Sequence, residues 1–310
     1  MMKSYDAAVV GEVFTDHIFS GFAAWPPPGV EIFTQDYVRE VGGGAANTAS
    51  GLARLGRQTI LFGIAGIADQ HWLTARLAAF GVRLDGMQFV EEPTGVTVSI
   101  STKEERTFFT YPGANALLPQ YISSPDVVSM LCEARHVHFA MPLARQIAAT
   151  LLPELKKAGC TLSIDVGWQL EWLTDRQNIE TCVECDFFLP NWKEAQVFTG
   201  ADTPSAMLQA CVDAGISGAV LKLGAEGAGM MVDGNELSAS TGSVKVVDTT
   251  GAGDAFDAGL IDAVLDAVPA KEMLYRACIS GALSTRASGA LQGLATREEM
   301  KEFYDRTQQS

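Results

Sequence analysis

The stretch Ser243–Ala258, SVKVVDTTGAGDAFDA, decides the fold class of this chain. Its β-branched start predicts a strand, its glycines predict a tight turn, and its apolar end predicts a helix. Gly251, Ala252 and Gly253 stand where the helix begins, so their N–H groups lack intrahelical partners and carry the positive end of the helix dipole. Because small residues let an anion approach the backbone, the stretch predicts a pocket for charge on a transferring phosphoryl group.

Asp254 follows this turn directly and falls in the first turn of the predicted helix. A carboxylate at that place can accept a proton from a hydroxyl group that attacks phosphorus. The alternative is an ordinary first-turn acid that only stabilises the helix dipole. The complete string D-T-T-G-A-G-D-A-F favours the catalytic interpretation, which a bare G-x-G-D would not.

Outside this stretch, strand-like and helix-like segments mostly alternate, which indicates an α/β fold with a largely parallel central sheet between helices. The predicted strands are Asp6–Val10, Thr59–Gly63, His136–Ala140, Thr161–Asp165, Phe187–Leu189, Ala219–Leu223 and Val244–Val247. The predicted helices are Ala45–Leu55, His71–Phe80, Ala144–Ala158, Pro204–Ala214 and Ala255–Val268. Each helix stops against a glycine or a proline, as helix-stop signals require.

Two segments break the alternation, Glu31–Val41 and Thr94–Tyr111. The second has two β-rich runs on either side of a polar turn at Lys103–Arg106. We expect both segments to form a small sheet over the mouth of the main domain, as a lid. Its apolar face would come from Val96, Val98, Ile100, Phe108 and Tyr111. The alternative is a β-hairpin on the surface.

Composition narrows the class of function. The 310 residues are 47% hydrophobic and 19% charged, which is enough apolar material for one large domain. The net charge of −15 makes nucleic acid an unlikely partner, because the whole surface repels phosphate backbones. No run of about 18 apolar residues is present, and the N-terminus has no signal-peptide pattern. We therefore expect a cytoplasmic protein that does not engage membranes.

Several segments, in family order, resemble the motifs of the ribokinase-like (PfkB) carbohydrate kinase family. They are DTTGAGD at Asp248–Asp254, GGGAANTASGLARLG at Gly42–Gly56, GEVFTD at Gly11–Asp16, NWKE at Asn191–Glu194, and KLG at Lys222–Gly224 with Gly227. The resemblance implies one ribokinase-like kinase domain over residues 1–310, with lid strands at about 31–41 and 94–111 inserted in it. It also implies a homodimer assembled through these lids.

The resemblance assigns a sugar-binding role to four residues. Asp16 would accept hydrogen bonds from substrate hydroxyls; the alternative is a helix or turn cap. Gly42, Gly43 and Asn47 would line the same pocket, since glycine admits a ligand to the backbone and asparagine offers a donor and an acceptor. The alternative for the glycines is a flexible start to a helix.

The same resemblance assigns the ATP side. Asn191, Lys222, Gly224 and Gly227 would bind ATP, and Asn191 with Glu194 would organise Mg²⁺ and its waters. The alternative for Glu194 is a surface helix residue. Lys222 could neutralise phosphate charge, or its ammonium group could extend from the sheet edge into water.

The resemblance of the C-terminal segment to the family implies two further features. Gly281 and Gly289 resemble the adenine side of the family. Asp248 and Thr250, with backbone from Ser284 and Gly289, could hold a monovalent cation such as K⁺. The implied cofactors are thus ATP and Mg²⁺, with K⁺ as an addition.

One departure from the family concerns the acceptor. Relatives that phosphorylate fructose or keto-deoxygluconate often carry D-P-N-x-R where this chain has DVGWQ at Asp165–Gln169. The Asn and Arg are missing, which puts those substrates in doubt. Three hypotheses remain: an ATP-dependent kinase acting on the hydroxymethyl group of a small sugar, a nucleoside kinase, and a non-catalytic sugar- or nucleotide-binding homologue. A nucleoside site would need an aromatic slot, for which the candidates are Phe14, Phe108, Phe109 and Trp168.

Overall fold

The computed structural model describes residues 3–102, 106–242 and 244–307. Its strands in chain order are β1 (Tyr5–Gly11), β2 (Phe14–Phe22), β3 (Asp36–Gly42), β4 (Thr59–Gly66), β5 (Arg83–Val90), β6 (Gly95–Thr102), β7 (Arg106–Tyr111), β8 (Ala134–Ala140), β9 (Thr161–Ile164), β10 (Phe187–Phe188), β11 (Val220–Lys222), β12 (Ala228–Val232) and β13 (Asn235–Ala239). Its α-helices are α1 (Gly44–Arg54), α2 (Gln70–Ala78), α3 (Leu118–Ile122), α4 (Pro125–Leu131), α5 (Arg145–Lys157), α6 (Leu170–Thr174), α7 (Ile179–Glu184), α8 (Trp192–Thr199), α9 (Pro204–Asp213), α10 (Ala252–Leu265), α11 (Ala270–Ser284) and α12 (Arg297–Thr307). Short 3-10 turns lie at Ile67–Asp69, Gly113–Leu117, Arg176–Asn178 and Gly224–Glu226.

The central sheet has the strand order β10-β9-β8-β1-β4-β5, and each neighbouring pair is parallel. Successive residues of β1 pack on opposite faces: Ala8 and Val10 belong to one apolar core, and Ala7 and Val9 belong to the other. Because helices bury both faces, the strand is a continuous apolar run. The predicted α/β fold with helices on both sides of a parallel sheet is confirmed.

All five predicted helices are present, with ends shifted by up to three residues. The largest shift helps the catalytic hypothesis: α10 begins at Ala252, so Asp254 lies in its first turn. The sequence reading missed both α11 and α12. Helix α11 packs against α10. Among the described residues, no helix combines the length and the apolar character needed to span a bilayer.

A second, antiparallel sheet has the order β11-β12-β13, and it extends the edge of the central sheet. Isolated parallel bridges join Phe188 to Ala219 and Asn191 to Lys222. The strand predicted at Val244–Val247 is wrong, because that segment is a loop whose Val246 and Val247 side chains are exposed. The amide of Val247 donates to the carbonyl oxygen of Thr285 at the end of α11, so its bonding partner is a helix terminus rather than a strand.

The two segments that break the alternation belong to one four-stranded sheet, in the order β3-β2-β6-β7. Strands β2 and β6 are parallel, and the two outer pairs are antiparallel. The sequence reading missed β2, the strand that carries Asp16, and residues 31–35 of the first predicted segment contain no strand. Of the polar turn predicted at Lys103–Arg106, residues 103–105 lie outside the described residues, and β7 begins at Arg106.

The register assigns side chains to the two faces of this sheet, which we call the lid sheet. Asp16 pairs with Glu40 of β3 and with Thr97 of β6. Ser99 lies two residues after Thr97, on the same face, and pairs with Phe108 of β7. Asp16 and Phe108 therefore share one face. Phe109 pairs with Val98 and lies on the other face. The predicted apolar face was therefore wrong in one member: Phe108 does not lie beside Val96, Val98 and Ile100, because successive strand residues alternate.

Candidate active site

The glycine turn before α10 has the geometry of an anion pocket. Gly251 is the N-cap of α10 at φ 74°, and a Cβ there would lie 2.5 Å from Cβ of Ala290. Only glycine fits both that left-handed conformation and that contact. The amides of Gly253 and Asp254 fall in the first helical turn, where no intrahelical carbonyl is available to them. These amides can therefore bind an anion placed at the start of the helix.

Asp254 is half-buried beside this turn. The side-chain amide of Asn47 donates from Nδ2 to Oδ2 of Asp254 over 2.8 Å, and Thr48 Oγ1 donates to its backbone carbonyl over 3.3 Å. A Cβ at Gly44 would lie 3.2 Å from Oδ1, so glycine leaves that oxygen open. Burial raises the pKa of Asp254 to about 6, against the lowering effect of the Asn47 hydrogen bond. Asp254 is thus ionised at neutral pH and can act as a base.

Asp16 reaches the same region from β2. It is half-buried, and a Cβ at Gly42 would overlap its carboxyl group, so the glycine makes room for the acid. Burial first, then the charges of Glu40 and Asp254, raise the pKa of Asp16 to about 7. Because Asp16 lies within β2, the alternative of a helix or turn cap is wrong.

The glycine motif has a defined geometry as well. Gly43 is the N-cap of α1 at φ 97°, and a Cβ there would overlap the carbonyl oxygen of Glu12. Within α1, Asn47 is buried, and its Oδ1 has no hydrogen-bond partner among the described residues. A buried acceptor without a donor is costly, so this oxygen can receive a hydrogen bond from a ligand. Asp16, Gly42, Gly43 and Asn47 are thus brought together around Asp254, and their sugar-binding role stays a prediction.

A cavity of about 690 Å³ begins on the other side of the glycine turn, a volume suited to a nucleotide-sized ligand. It is lined by Lys222, Gly224, Ala225, Gly227, Thr241, Gly242, Val244, Val246, Thr249, Ala252, Gly253, Phe256, Cys278, Gly281, Ala282 and Thr285. Three of the predicted ATP-binding residues, Lys222, Gly224 and Gly227, are among them, and Asn191 is not. The loop of the wrongly predicted strand and the unpredicted α11 supply much of the remaining wall.

Lys222 is buried, so the alternative that its ammonium group extends into water is wrong. Its Nζ donates to Asp165 Oδ2 over 2.6 Å and to Asp257 Oδ1 over 3.1 Å. A Cβ at Gly253 would lie 3.6 Å from this Nζ, so the ammonium group lies directly against the glycine turn. Burial alone would lower the pKa of Lys222, but the charges of Asp165, Asp257 and Glu194 outweigh it and raise the pKa. The residue therefore stays charged.

Sequence reasoning missed Asp165 and Asp257 as site residues. Carboxylate oxygens of Asp165, Asp254 and Asp257 lie within 4.8 Å of one another, a grouping that could hold a metal ion. The ammonium group of Lys222 already supplies a cation to two of these carboxylates. Two signals were available: Asp257 follows Asp254 at helical spacing, and Asp165 stands just beyond the end of a parallel strand.

Asn191 and Glu194 form a capping box at the start of α8. The backbone N–H of Asn191 donates to Glu194 Oε2 over 2.8 Å, and the side-chain Nδ2 of Asn191 donates to Glu194 Oε1 over 2.5 Å. Glu194 is buried, so the alternative of a surface helix residue is wrong. Burial first, and then the charge of Asp165, raises the pKa of Glu194 to about 7. Each carboxylate oxygen keeps a second lone pair, so the pair fits Mg²⁺ held through water.

Asp248 and Thr250 form a turn of their own. Asp248 Oδ1 accepts hydrogen bonds from Thr250 N over 2.9 Å and Thr250 Oγ1 over 2.7 Å, and its Oδ2 accepts from Gly289 N over 3.0 Å. Ser284 is buried and donates to the carbonyl oxygen of Gly281. The carboxylate thus ties the loop before α10 to the segment after α11. The monovalent-cation role of these residues stays a prediction.

The structure separates two of the aromatic residues proposed for a nucleoside slot. Phe14 is buried against Gly95, Phe108 and Phe109 lie on opposite faces of the lid sheet, and Trp168 is exposed. Phe108 and Phe109 therefore cannot both line one slot for a base.

Comparison with known proteins agrees with this geometry. The model of the pfkB family carbohydrate kinases matches residues 6–297. A ribokinase of Haemophilus influenzae is 28% identical over 96% of this chain and 97% of the relative. A 2-dehydro-3-deoxygluconokinase of Bacillus subtilis is 27% identical and covers 86% of this chain and 87% of its own.

A solved structure gives the same result in three dimensions. The Arabidopsis thaliana ribokinase, complexed with ribose and ATP, is 27% identical with a TM-score of 0.86, and covers 98% of this chain and 99% of its own. The predictions of family and of a ribokinase-like fold are therefore confirmed. The chain belongs to the pfkB family of carbohydrate kinases, which are phosphotransferases that act on an alcohol group.

Proposed function

We propose that this protein transfers the γ-phosphoryl group of ATP to the hydroxymethyl group of a small sugar. One observation carries the proposal: Asp254 and the glycine turn lie at the junction of two sites. On one side is the pocket with Asp16 and Asn47, and on the other is the 690 Å³ cavity. A base between an acceptor site and an anion pocket is the arrangement that phosphoryl transfer to an alcohol requires.

Each group has a defined part in this reaction. Asp254 takes the proton of the acceptor hydroxyl on an open carboxylate oxygen, while Asn47 fixes the other oxygen. The hydroxyl oxygen forms its bond to the γ-phosphorus as the bond from phosphorus to the ADP oxygen breaks. The amides of the Gly251–Gly253 turn and the ammonium group of Lys222 stabilise the negative charge on the transferred group.

Asn191 and Glu194 would hold Mg²⁺ through water, next to the cavity that would take the triphosphate. Mg²⁺ held there would supply positive charge to the phosphate groups. The capping box fixes both side chains before any ligand arrives. Asp248 and Thr250 would accommodate a monovalent cation, which would order the loop before α10.

The lid sheet would close over the bound sugar and exclude water, which otherwise competes as an acceptor. It carries Asp16, so closure and substrate recognition would be coupled. The face of the lid sheet opposite Asp16 carries the exposed aromatic side chains of Tyr37, Phe109 and Tyr111, which favour burial against a second copy of the sheet. The proposed assembly is a homodimer through the lids. Light scattering at micromolar concentration would test it, and a strict monomer would contradict it.

The central test is ADP release with ATP, Mg²⁺ and a panel of pentoses, hexoses and nucleosides, preceded by a thermal-shift screen. We expect turnover with at least one sugar, and none when Asp254→Asn replaces the native enzyme. A panel in which only nucleosides are phosphorylated would support the nucleoside kinase instead. Binding of sugar and ATP without any turnover would indicate a non-catalytic homologue.

A further inference from the structure

Around the acceptor pocket, the described cations have ion-pair partners, whereas two of the carboxyl groups do not. Among residues 3–102, 106–242 and 244–307, no ion pair involves Asp16 or Asp254, although both carboxyl groups are half-buried. The nearest cation to Asp254, the Lys222 ammonium group, is held by two other carboxylates, at 2.6 Å and 3.1 Å. Lys222 lines the cavity on the phosphate side, where its proposed role is to stabilise the transferred group, so we do not count it as a cation for a charged acceptor.

The second cation near the pocket is occupied as well. Arg76 on α2 binds Glu40 with two hydrogen bonds, from Nε to Oε1 over 2.7 Å and from Nη2 to Oε2 over 2.5 Å. Glu40 is the cross-strand neighbour of Asp16 and lies on the same face of the lid sheet. A bidentate pair of this kind holds the guanidinium group of Arg76 against Glu40 and offsets its charge.

Three hydrogen-bond acceptors around the pocket have no partner among the described residues. They are the carboxylate of Asp16, the unpartnered Oδ1 of Asn47 and the open Oδ1 of Asp254. A sugar hydroxyl can donate to each of them. A carboxylate or phosphate group on the substrate has no proton to donate at neutral pH. Its charge would also stand against ionised Asp254 and partly ionised Asp16, which is unfavourable in a partly dehydrated pocket.

The segment that follows β9 offers no replacement. Residues Asp165–Gln169 read DVGWQ, and the only charged side chain, Asp165, is bound to Lys222. Asp165 Oδ1 accepts a hydrogen bond from the backbone amide of Gly167 over 2.9 Å. Gly167 has a φ of 60°, so the chain makes a turn at this residue. Thus this segment presents no unpaired cation to the pocket.

We infer that the acceptor is an uncharged polyhydroxylated molecule, and that sugar acids and sugar phosphates are rejected. The inference rests on the proposed function and specifies its substrate class. It separates this chain from its Bacillus subtilis relative, whose name denotes a kinase for the sugar acid 2-dehydro-3-deoxygluconate.

The test compares acceptors that differ in charge. Initial rates of ADP release would be measured with ribose and fructose, with 2-dehydro-3-deoxygluconate, and with fructose 6-phosphate. We expect kcat/KM for the best neutral sugar to exceed that of either anion by at least about 100-fold. An acid or phosphate used as well as the best neutral sugar would overturn the inference.

A charge variant gives the inference a positive test. Glu40→Gln removes the carboxylate that holds Arg76, and it should raise kcat/KM for an anionic acceptor relative to the neutral one by at least about 10-fold. Asp69→Asn is the matched control. It makes the same change in net charge and releases Arg39, whose guanidinium lies over the Trp72 ring, 4.1 Å from its centroid, away from Asp16. An equal change in selectivity in both variants would refute a role for local charge.

Thermal shift with the same ligands separates this inference from the proposed function. If no acceptor is phosphorylated, the proposed function fails, and binding alone decides the charge preference. Stabilisation by neutral sugars but not by the anions would then support the inference. Stronger stabilisation by the anions would overturn it.

Discussion

Replacement of Asp254 by Asn should slow the reaction and stabilise the fold at the same time. The folded-state pKa of Asp254 rises from 3.8 to about 6, because burial penalises the charged form. At about 1.4 kcal/mol for each pKa unit, ionised Asp254 costs the folded state about 3 kcal/mol. A catalytic base that is kept ionised in a partly dehydrated site therefore reduces stability.

The sign of this effect depends on pH. Below about pH 4 the carboxyl group is protonated in both folded and unfolded chains, so it costs nothing. As pH rises from about 4 to about 6, the unfolded chain loses the proton first, and the free energy of unfolding falls. Asn has the same shape without the charge, and it can still bond to Asn47. We expect Asp254→Asn to raise the free energy of unfolding by up to about 3 kcal/mol at pH 8, and by only about 0.5 kcal/mol at pH 4.

Two assays read the two effects. Urea unfolding followed by tryptophan fluorescence gives the free energy of unfolding at each pH. ADP release at saturating substrates gives kcat, which should fall by about 10²–10⁴-fold, the range for a lost general base. Calorimetry should find ATP affinity nearly unchanged.

Asp266→Asn is a matched control at the end of α10. Burial alone would raise the pKa of Asp266, but hydrogen bonds from Arg57 and Arg276 outweigh it and lower the pKa to about 2. Its contribution to stability is present above about pH 4 and is lost as pH falls towards 2, so the substitution should destabilise the protein at pH 8. A near-normal kcat in Asp254→Asn would refute the assignment of Asp254 as the general base. No gain in stability at pH 8, with Asp266→Asn behaving as expected, would refute the electrostatic reasoning.

Three further predictions concern the groups around Asp254. Asp16→Ala or Asn47→Ala should raise KM for the sugar by about 10–100-fold through lost hydrogen bonds and spare KM for ATP; the reverse pattern would mean that the two sites are interchanged. Lys222→Met should cost about 3–5 kcal/mol of unfolding free energy, because it leaves buried carboxylates without a cation. Adding Asp257→Asn should recover part of that loss, whereas additive losses in urea unfolding would contradict the coupling. Gly251→Ala should cost about 1–3 kcal/mol and lower kcat at least about 10-fold, because it strains a left-handed position and displaces the turn; a crystal structure with an unmoved turn and normal kcat would argue against this.

The sequence determined the parts of this protein that depend on local backbone chemistry. Glycines at Gly43 and Gly251 mark positive φ, and each stands just before a helix, so the turn, the helix start and the catalytic carboxylate could be predicted together. Apolar runs buried on both faces likewise indicated a parallel sheet before any pairing was known.

Local pattern failed where burial or pairing outweighed propensity. Val244–Val247 has the β-branched composition of a strand, but the cavity and the end of α11 decide its conformation. The polar string around Asp16 gives no alternating apolar signal, so β2 was missed, although its cross-strand partners make it part of the lid sheet.

Only the tertiary structure decided how the charges are shared. Lys222 and Asp165 are 57 residues apart, and Arg76 and Glu40 are 36 apart, so no local pattern states that these cations are already paired. Which carboxylates remain open depends on which strands and helices meet, because Coulomb attraction between buried groups acts over a few ångströms of space. The motifs thus identified the reaction from sequence alone. The preference for an uncharged acceptor follows only from the packing that places Asp16, Asn47 and Asp254 together without a free cation.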